Sequence, residues 1–290
     1  MARLRTRKHK VVLSRSAGGD FGIVVLLVLL GAFMFLPMLY VVLQSIKPLD
    51  ELWMFPPRFY VINPTFRNYK DLFTLMNTSW VPFSRYIFNT IFISVTGTTG
   101  NLFFSSLAAY AMAKIKFPGR KWMFKTVRTS LMFHATVTAI ASFIIMSAFG
   151  WVDTYWSRII PAFSTSLGLY LMKQFMETNV SDAILESARL DGASELKTFW
   201  TIAMPMVKPA WLTLIIYSFQ GLWNAGASIY IHSEQLKSFN YAIQQIVAGG
   251  IKRAGAGAAS SVITMIVPIM VFVITQSSII ETMGSSGMKD

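Results

Sequence analysis

Glu186-Ser187-Ala188-Arg189-Leu190-Asp191-Gly192-Ala193, running on through Phe199 and Ile202 to Pro205 and Pro209, is the stretch whose reading decides the fold. It is a polar island between two long apolar runs. Five acids crowd there (Glu177, Asp182, Glu186, Asp191, Glu195) in a chain that has 13 Asp and Glu altogether. Gly192 divides the segment into two short helix-forming stretches, and Pro205 and Pro209 end it where the next apolar run begins. The pattern predicts a helix-turn-helix lying outside a lipid bilayer.

The rest of the chain supplies the bilayer part. Of 290 residues 54% are hydrophobic and 13% charged, too few charges and too many apolar runs for a soluble domain. A helical span needs about 20 mostly apolar residues. Six runs qualify, at about 21–46, 86–113, 127–149, 158–177, 207–231 and 258–281, and none carries Asp or Glu in its central part. The expectation is an all-α polytopic membrane protein: a basic N-terminus (1–20), a membrane domain (21–281) whose polar loop covers 178–206, and a tail (282–290). The first span, preceded by basic residues and containing Pro37, reads as an uncleaved anchor, because its apolar core is too long for a secretory signal.

The net charge of +13 follows topology and does not call for nucleic acid. With both termini cytoplasmic, Lys and Arg count six before the first span, six between spans two and three (Lys114, Lys116, Arg120, Lys121, Lys125, Arg128), four around the polar loop and one at Lys289. That places 17 of the 26 inside. The connection 47–85, rich in Pro and aromatics (Trp53, Phe55, Phe59, Tyr60, Tyr69, Trp80), fits an outer loop at the membrane interface or against a soluble receptor. Gly97, Gly100, Ser105, Ser106, Ala108 and Ala109 give span two the small side chains that let helices approach closely in lipid, so it is expected inside the bundle.

The polar segment resembles the EAA loop of ABC-importer permeases: Glu186, Ala188, Asp191, Gly192, Ala193, Phe199, Ile202, Pro205 and Pro209 match its pattern, with Ser187 in place of a usual Ala. Lys116-Phe117-Pro118-Gly119-Arg120 is similar to a link common in the carbohydrate branch of that family. Phe219-Gln220-Gly221-Leu222-Trp223-Asn224 resembles its fifth-helix segment, the tail from Ser277 through Glu281, Thr282, Met283 and Met288 resembles one frequent in one subunit of the family's heterodimers, and the chain as a whole is similar to the maltose-type second permease subunit. The resemblance implies a type I importer bundle of six helices with a cytoplasmic coupling helix near 181–190. Asp182, Leu185, Glu186, Ala188, Asp191, Gly192 and Ala193 would then couple to an ATPase, with Ile184, Leu185 and Ala188 as the apolar stripe that meets it. It further implies a homologous permease as heterodimer partner, two ATPase subunits that hold ATP and Mg, no cofactor on this chain, an extracytoplasmic solute-binding protein, and a multi-pass place in a prokaryotic cytoplasmic membrane.

Gln220, Trp223 and Asn224 recur, with Ala227, at helical steps and so share a face. An indole and two amides suit a sugar ring and its hydroxyls; they equally suit packing and hydrogen bonding between helices. Enzyme chemistry finds little support. There is no H-E-x-x-H or G-x-S-x-G, the histidines (His9, His134, His232) lie far apart, and no cysteine is present. His134, near the start of span three, reads as a polar group satisfied by its neighbours or as a gate. Leu196 stands where a phosphate loop ending in Lys197-Thr198 would need glycine, so ATP is not expected here. The rivals are a polyol or glycerol-phosphate permease of the same machinery, and a secondary carrier or channel acting alone. A proton relay normally needs an acid at membrane depth, which the spans lack.

Overall fold

The computed structural model describes residues 17–77 and 80–286, so the basic cluster before Ala17 and the end of the tail from Gly287 lie outside the described residues. Every regular element among the described residues is helical. In chain order these are α1 (Ala17–Ser45), α2 (Leu49–Leu52), α3 (Arg67–Asn77), α4 (Phe83–Lys114), α5 (Arg120–Ser130), α6 (Ala135–Ala148), α7 (Trp156–Phe163), α8 (Ser166–Asn179), α9 (Asp182–Leu190), α10 (Glu195–Thr198), α11 (Met204–Met206), α12 (Lys208–Trp223), α13 (Phe239–Val247) and α14 (Ala254–Ser286), with one π-helical turn at Phe199–Ala203 between α10 and α11. Of these, α1, α4 and α14 are long and apolar enough to cross a bilayer unbroken.

The centre of the bundle is α4, packed against α7, α8 and α12, while α14 lies between α12 and α1. The small-residue reading of this helix holds at the atomic level. A Cβ added to Gly100 would sit 2.0 Å from the ring of Phe163, so only glycine lets α7 come this close. Asn101, fully buried, then ties three elements. Its amide nitrogen donates to Ser218 Oγ of α12 (3.1 Å), and its Oδ1 accepts from Ser105 Oγ (2.8 Å) and from Thr165 Oγ1 at the start of α8 (2.9 Å). Polar bonds of this kind join helices where lipid offers no alternative partner.

The helix bounds differ from the sequence expectation in three places. The run 158–177 is divided at Ser164 and Thr165, where Thr165 leaves helical geometry (ψ 124°) and uses its hydroxyl on Asn101. The run 127–149 is split between α5 and α6 at His134. This residue caps α6, its Nδ1 accepting from the Thr136 backbone N–H (3.3 Å), so a neighbour satisfies it. The run 207–231 is helical only to Trp223.

The outer connection is pinned by its own polar groups. Asn68 donates to the carbonyls of Ser45 (2.8 Å) and Lys47 (2.7 Å), Glu51 accepts from the backbone N–H of Asn63 (2.8 Å), and the buried Lys47 donates to the Arg58 carbonyl. Its rings at Trp53, Phe55, Phe59 and Tyr60 stay exposed, as an interfacial belt requires.

Gly100→Ala is expected to destabilise the detergent-purified chain by about 1–3 kcal/mol, because the ring of Phe163 must move. Gly221→Ala meets open space and removes a helix-interior glycine, which costs about 1 kcal/mol relative to alanine. It should leave the melting temperature unchanged or raise it, and equal losses in the two variants would sink this packing account.

Candidate functional site

The helix-turn-helix forms as α9 and α10. Asp191 N–H bonds the Ser187 carbonyl, Gly192 N–H that of Arg189, and Ala193 N–H that of Ala188, each at 3.0 Å, which closes the end of α9 as a Schellman turn. Gly192 has φ +77°, yet a Cβ there would meet nothing within 4 Å. The requirement for glycine is therefore conformational, on the order of 1–2 kcal/mol for a side chain forced left-handed, and owes nothing to steric obstruction. Ser194 caps α10, accepting from Lys197 N–H.

One ion pair and one hydrogen bond bolt this unit to the bundle, and a second ion pair closes it internally. Lys114 Nζ, at the end of α4, donates to Asp182 Oδ1 at 2.7 Å. Across the Gly192 turn Arg189 Nε donates to Glu195 Oε1 at 2.7 Å, while the hydroxyl of Tyr110 in α4 donates to Glu195 Oε2 at 3.0 Å. The hydrogen bond from Lys114 holds the Asp182 carboxyl below its ordinary range; the bond from Arg189 does the same for Glu195, and Glu195 in turn raises the Arg189 guanidinium. Leu185 and Ala188 are buried against Tyr110, Met172, Met176 and Phe199. They seat α9 on its own bundle, and so the expected stripe of Ile184, Leu185 and Ala188 is split: only Ile184 faces outward. The outward face carries Ile184, Glu186, Asp191 and two residues the sequence reading passed over, Leu190 (89% exposed) and Leu196 (65% exposed). Their signal was available: large apolar residues flanking a turn glycine in an otherwise polar island.

From Glu195 the chain stays helical to Met206, through the π turn, and then bends by 83° into α12. Pro209 falls in the first turn of α12, where its missing N–H leaves no hydrogen bond unmade. Trp211 Nε1–H closes the corner on the Met204 carbonyl (3.2 Å).

At the far end of α12 lies an open cavity of about 620 Å³. Gln220 and Asn224 line it together with Asn240 of α13 and Ser261, Thr264 and Phe272 of α14. Trp223 does not share their face. It is buried, stacked on Phe219 (5.8 Å between ring centroids), and donates from Nε1 to the Thr264 carbonyl (3.1 Å), so it holds α12 to α14 behind the cavity wall. The helix ends there because Asn224 is its C-cap, and its carbonyl accepts from the Asn240 side-chain amide. Among the described residues the cavity is lined by amides, hydroxyls and apolar groups, with no charged side chain. Among the described residues no cluster of His, Cys, Asp or Glu could hold a metal ion.

No family model matches the chain. Protein LplC of Bacillus subtilis (strain 168) is 31% identical over 223 residues, 74% of this chain and 71% of the relative. The polygalacturonan/rhamnogalacturonan transport system permease protein YtcP of the same organism is 29% identical over 175 residues, 56% of this chain and 60% of the relative. A solved structure of a bacterial ABC transporter involved in the import of the acidic polysaccharide alginate has the same fold, at a TM-score of 0.74 with 24% identity, over 92% of this chain and 99% of that one. The chain belongs to the sugar-permease family of ABC importers. As a permease subunit it is a helical membrane protein and a transport component, not an enzyme, of a class that works with ATPase and solute-binding partners.

Two features of this permease bear on its stability to acid. Asp182 and Glu195 have folded-state values below their unfolded ones, so the stabilisation is fully present above about pH 4–4.5 and is lost as pH falls from there through the lowered values. Both carboxylates are solvent-accessible, which keeps the effect modest. The melting temperature should therefore drop more for wild type than for Glu195→Gln between about pH 6 and pH 3.5; parallel curves would show that the Arg189–Glu195 pair contributes nothing.

Proposed function

We propose that this permease forms half of a carbohydrate translocation path and couples it to ATP hydrolysis on a separate ATPase through α9 and α10. The observation that carries the reading is the bolted unit itself. Its inner residues are spent on α4 and α8, and its outer face offers Ile184, Leu190 and Leu196 between Glu186 and Asp191 to a partner. Exposed apolar knobs rimmed by acids suit a groove on a protein with basic edges. In this scheme α1, α4, α5–α6, α7–α8, α12 and α14 make six crossings of a prokaryotic cytoplasmic membrane with both termini inside. ATP and Mg belong to the two partner ATPase subunits. A homologous permease completes the path, because the cavity wall comes from α12, α13 and α14 on one side only. A solute-binding protein delivers from outside.

The neutral amides and hydroxyls around Gln220, Asn224, Asn240 and Ser261 suit sugar hydroxyls, and the oligosaccharide reading is favoured over glycerol phosphate because no cation lines the cavity. Membrane-depth acids for a proton-driven carrier are likewise missing from the described spans.

Co-expression with the neighbouring permease and ATPase tests both ends. Leu190→Asp with Leu196→Asp, changes confined to exposed positions, should cut ATPase recovery on the tagged chain at least about tenfold, as losing a buried apolar anchor of 1.4 kcal/mol or more requires. Gln220→Ala with Asn224→Ala should leave assembly intact and reduce ATP-driven uptake of labelled oligosaccharide into vesicles. Solute movement by the lone chain without ATP would overturn the coupling assignment in favour of a carrier.

A further inference from the structure

A second cavity, of about 730 Å³, opens where α4 ends, between the turn 115–119, α5 and α8. Four cations line it (Lys116, Arg120, Lys121 and Lys173) against one acid, Glu177. Glu177 is already shared: Lys173 Nζ lies 2.6 Å and Arg120 Nη2 3.5 Å from the same Oε1, and Lys173 also sits over the Phe124 ring at 3.6 Å. Among the described residues Lys116 and Lys121 form no ion pair. The next turns of α5 add Lys125 and Arg128 on the outward side, also without an ion pair, while Phe124 stacks on Tyr170 (5.9 Å) and Ser130 bonds Ser166 to hold α5 against α8. Trp122, on the rim, is 72% exposed.

We propose that this cavity binds the phosphate headgroup of an anionic phospholipid from the leaflet at the Lys114 end of α4. The placement and the chemistry coincide. The cavity begins two residues beyond a helix that crosses the bilayer, so it lies at headgroup depth, where an exposed indole such as Trp122 partitions and surplus lysines meet anionic lipid. A basic pocket between helices at this level is complementary to a phosphodiester, and α5 and α8 form its walls. Lys116 and Lys121 supply the free donors, and Arg120 and Lys173, steadied by Glu177, form the floor. The site is separate from the Gln220 cavity and from the outward face of α9, and it rests only on α4 crossing the membrane.

Spin-labelled phosphatidylglycerol and spin-labelled phosphatidylcholine, each in phosphatidylcholine vesicles holding the permease with its co-purified partners, measure the preference as a ratio of motionally restricted lipid. Each cation near the surface is worth about five-fold in anionic-lipid association. Lys116→Gln with Lys121→Gln should lower the phosphatidylglycerol preference at least about five-fold, whereas Lys116→Arg with Lys121→Arg keeps it. Lys70→Gln with Lys252→Gln removes the same charge at the opposite end of the bundle, away from this cavity, and should lower the preference less. Equal losses in both Gln pairs, or a preference unaltered by either, would overturn the site. So would displacement of the spin-labelled lipid by inorganic phosphate at matched ionic strength, which marks a free-phosphate site. ATPase recovery in the same preparations reports separately on the coupling reading.

Discussion

A helix of 32 residues, long and apolar enough to cross a bilayer, with Asn89, Thr90, Ser94, Asn101 and Ser105 buried along it cannot stand alone in hydrocarbon. That constraint organises the molecule. The two asparagines of α4 find partners on several sides, while the hydroxyls of Ser94, Thr98 and Ser106 stay buried without one among the described residues: Asn89 donates to the carbonyls of Gln235 (2.8 Å) and Lys237 (2.9 Å) and accepts from the Tyr155 hydroxyl (2.7 Å), and Asn101 joins α8 and α12. Hydrophobic burial does not discriminate between helices already in lipid, so these bonds and the close approach at Gly100 decide which helices touch. By contrast α1, exposed along most of its length and packed on α14, is tied at its C-terminal end, where the carbonyls of Ser45 and Lys47 accept from Asn68 of α3.

The same helix anchors the outward unit. Lys114 grips the first residue of α9 and Tyr110, one turn earlier, grips Glu195 of α10, so both arms of the turn are fixed to one rigid rod. Leu185, Ala188 and Phe199 fill the space beneath. A push on Leu190 or Leu196 is therefore delivered to α4 and α8 as a body and is not absorbed by a flexing loop. The salt links are individually weak because they are solvent-accessible; their role is to fix direction, and the buried leucine and phenylalanine supply the adhesion.

Much of this was legible in the sequence because it depends on local chemistry. Gly192 announces a left-handed residue, Pro209 a helix start, and the glycines and serines of α4 a close-packed helix. Three things were not legible. That Leu185 and Ala188 turn inward while Ile184 turns out depends on which side of α9 meets α8, a tertiary fact that a stripe of three apolar residues does not contain. The break at Thr165 depends on a partner, Asn101, 64 residues away. Gln220 and Asn224, one helical turn apart, line the cavity as the spacing suggests, whereas the indole of Trp223 is drawn to the Thr264 carbonyl of α14, a partner 41 residues away that the spacing does not contain.

The two candidate sites are linked by one element. α12 starts at the 83° corner beyond the outward unit and ends at the cavity, and its 16 residues span about 24 Å at 1.5 Å each. No proline interrupts it after the first turn, Trp211 fastens its beginning to Met204, and Trp223 fastens its end to α14. A helix held at both ends transmits rotation better than bending. Turning the Glu195–Met206 arm together with a rigid corner must then swing Gln220 against Ser261 and Thr264 of α14, or else drag α14 along. Either movement changes the width of the cavity. The coupling proposed above, between a push on the outward unit and the width of the cavity, would thus need no chain of side-chain relays, only the stiffness of α12 and a corner that keeps its angle.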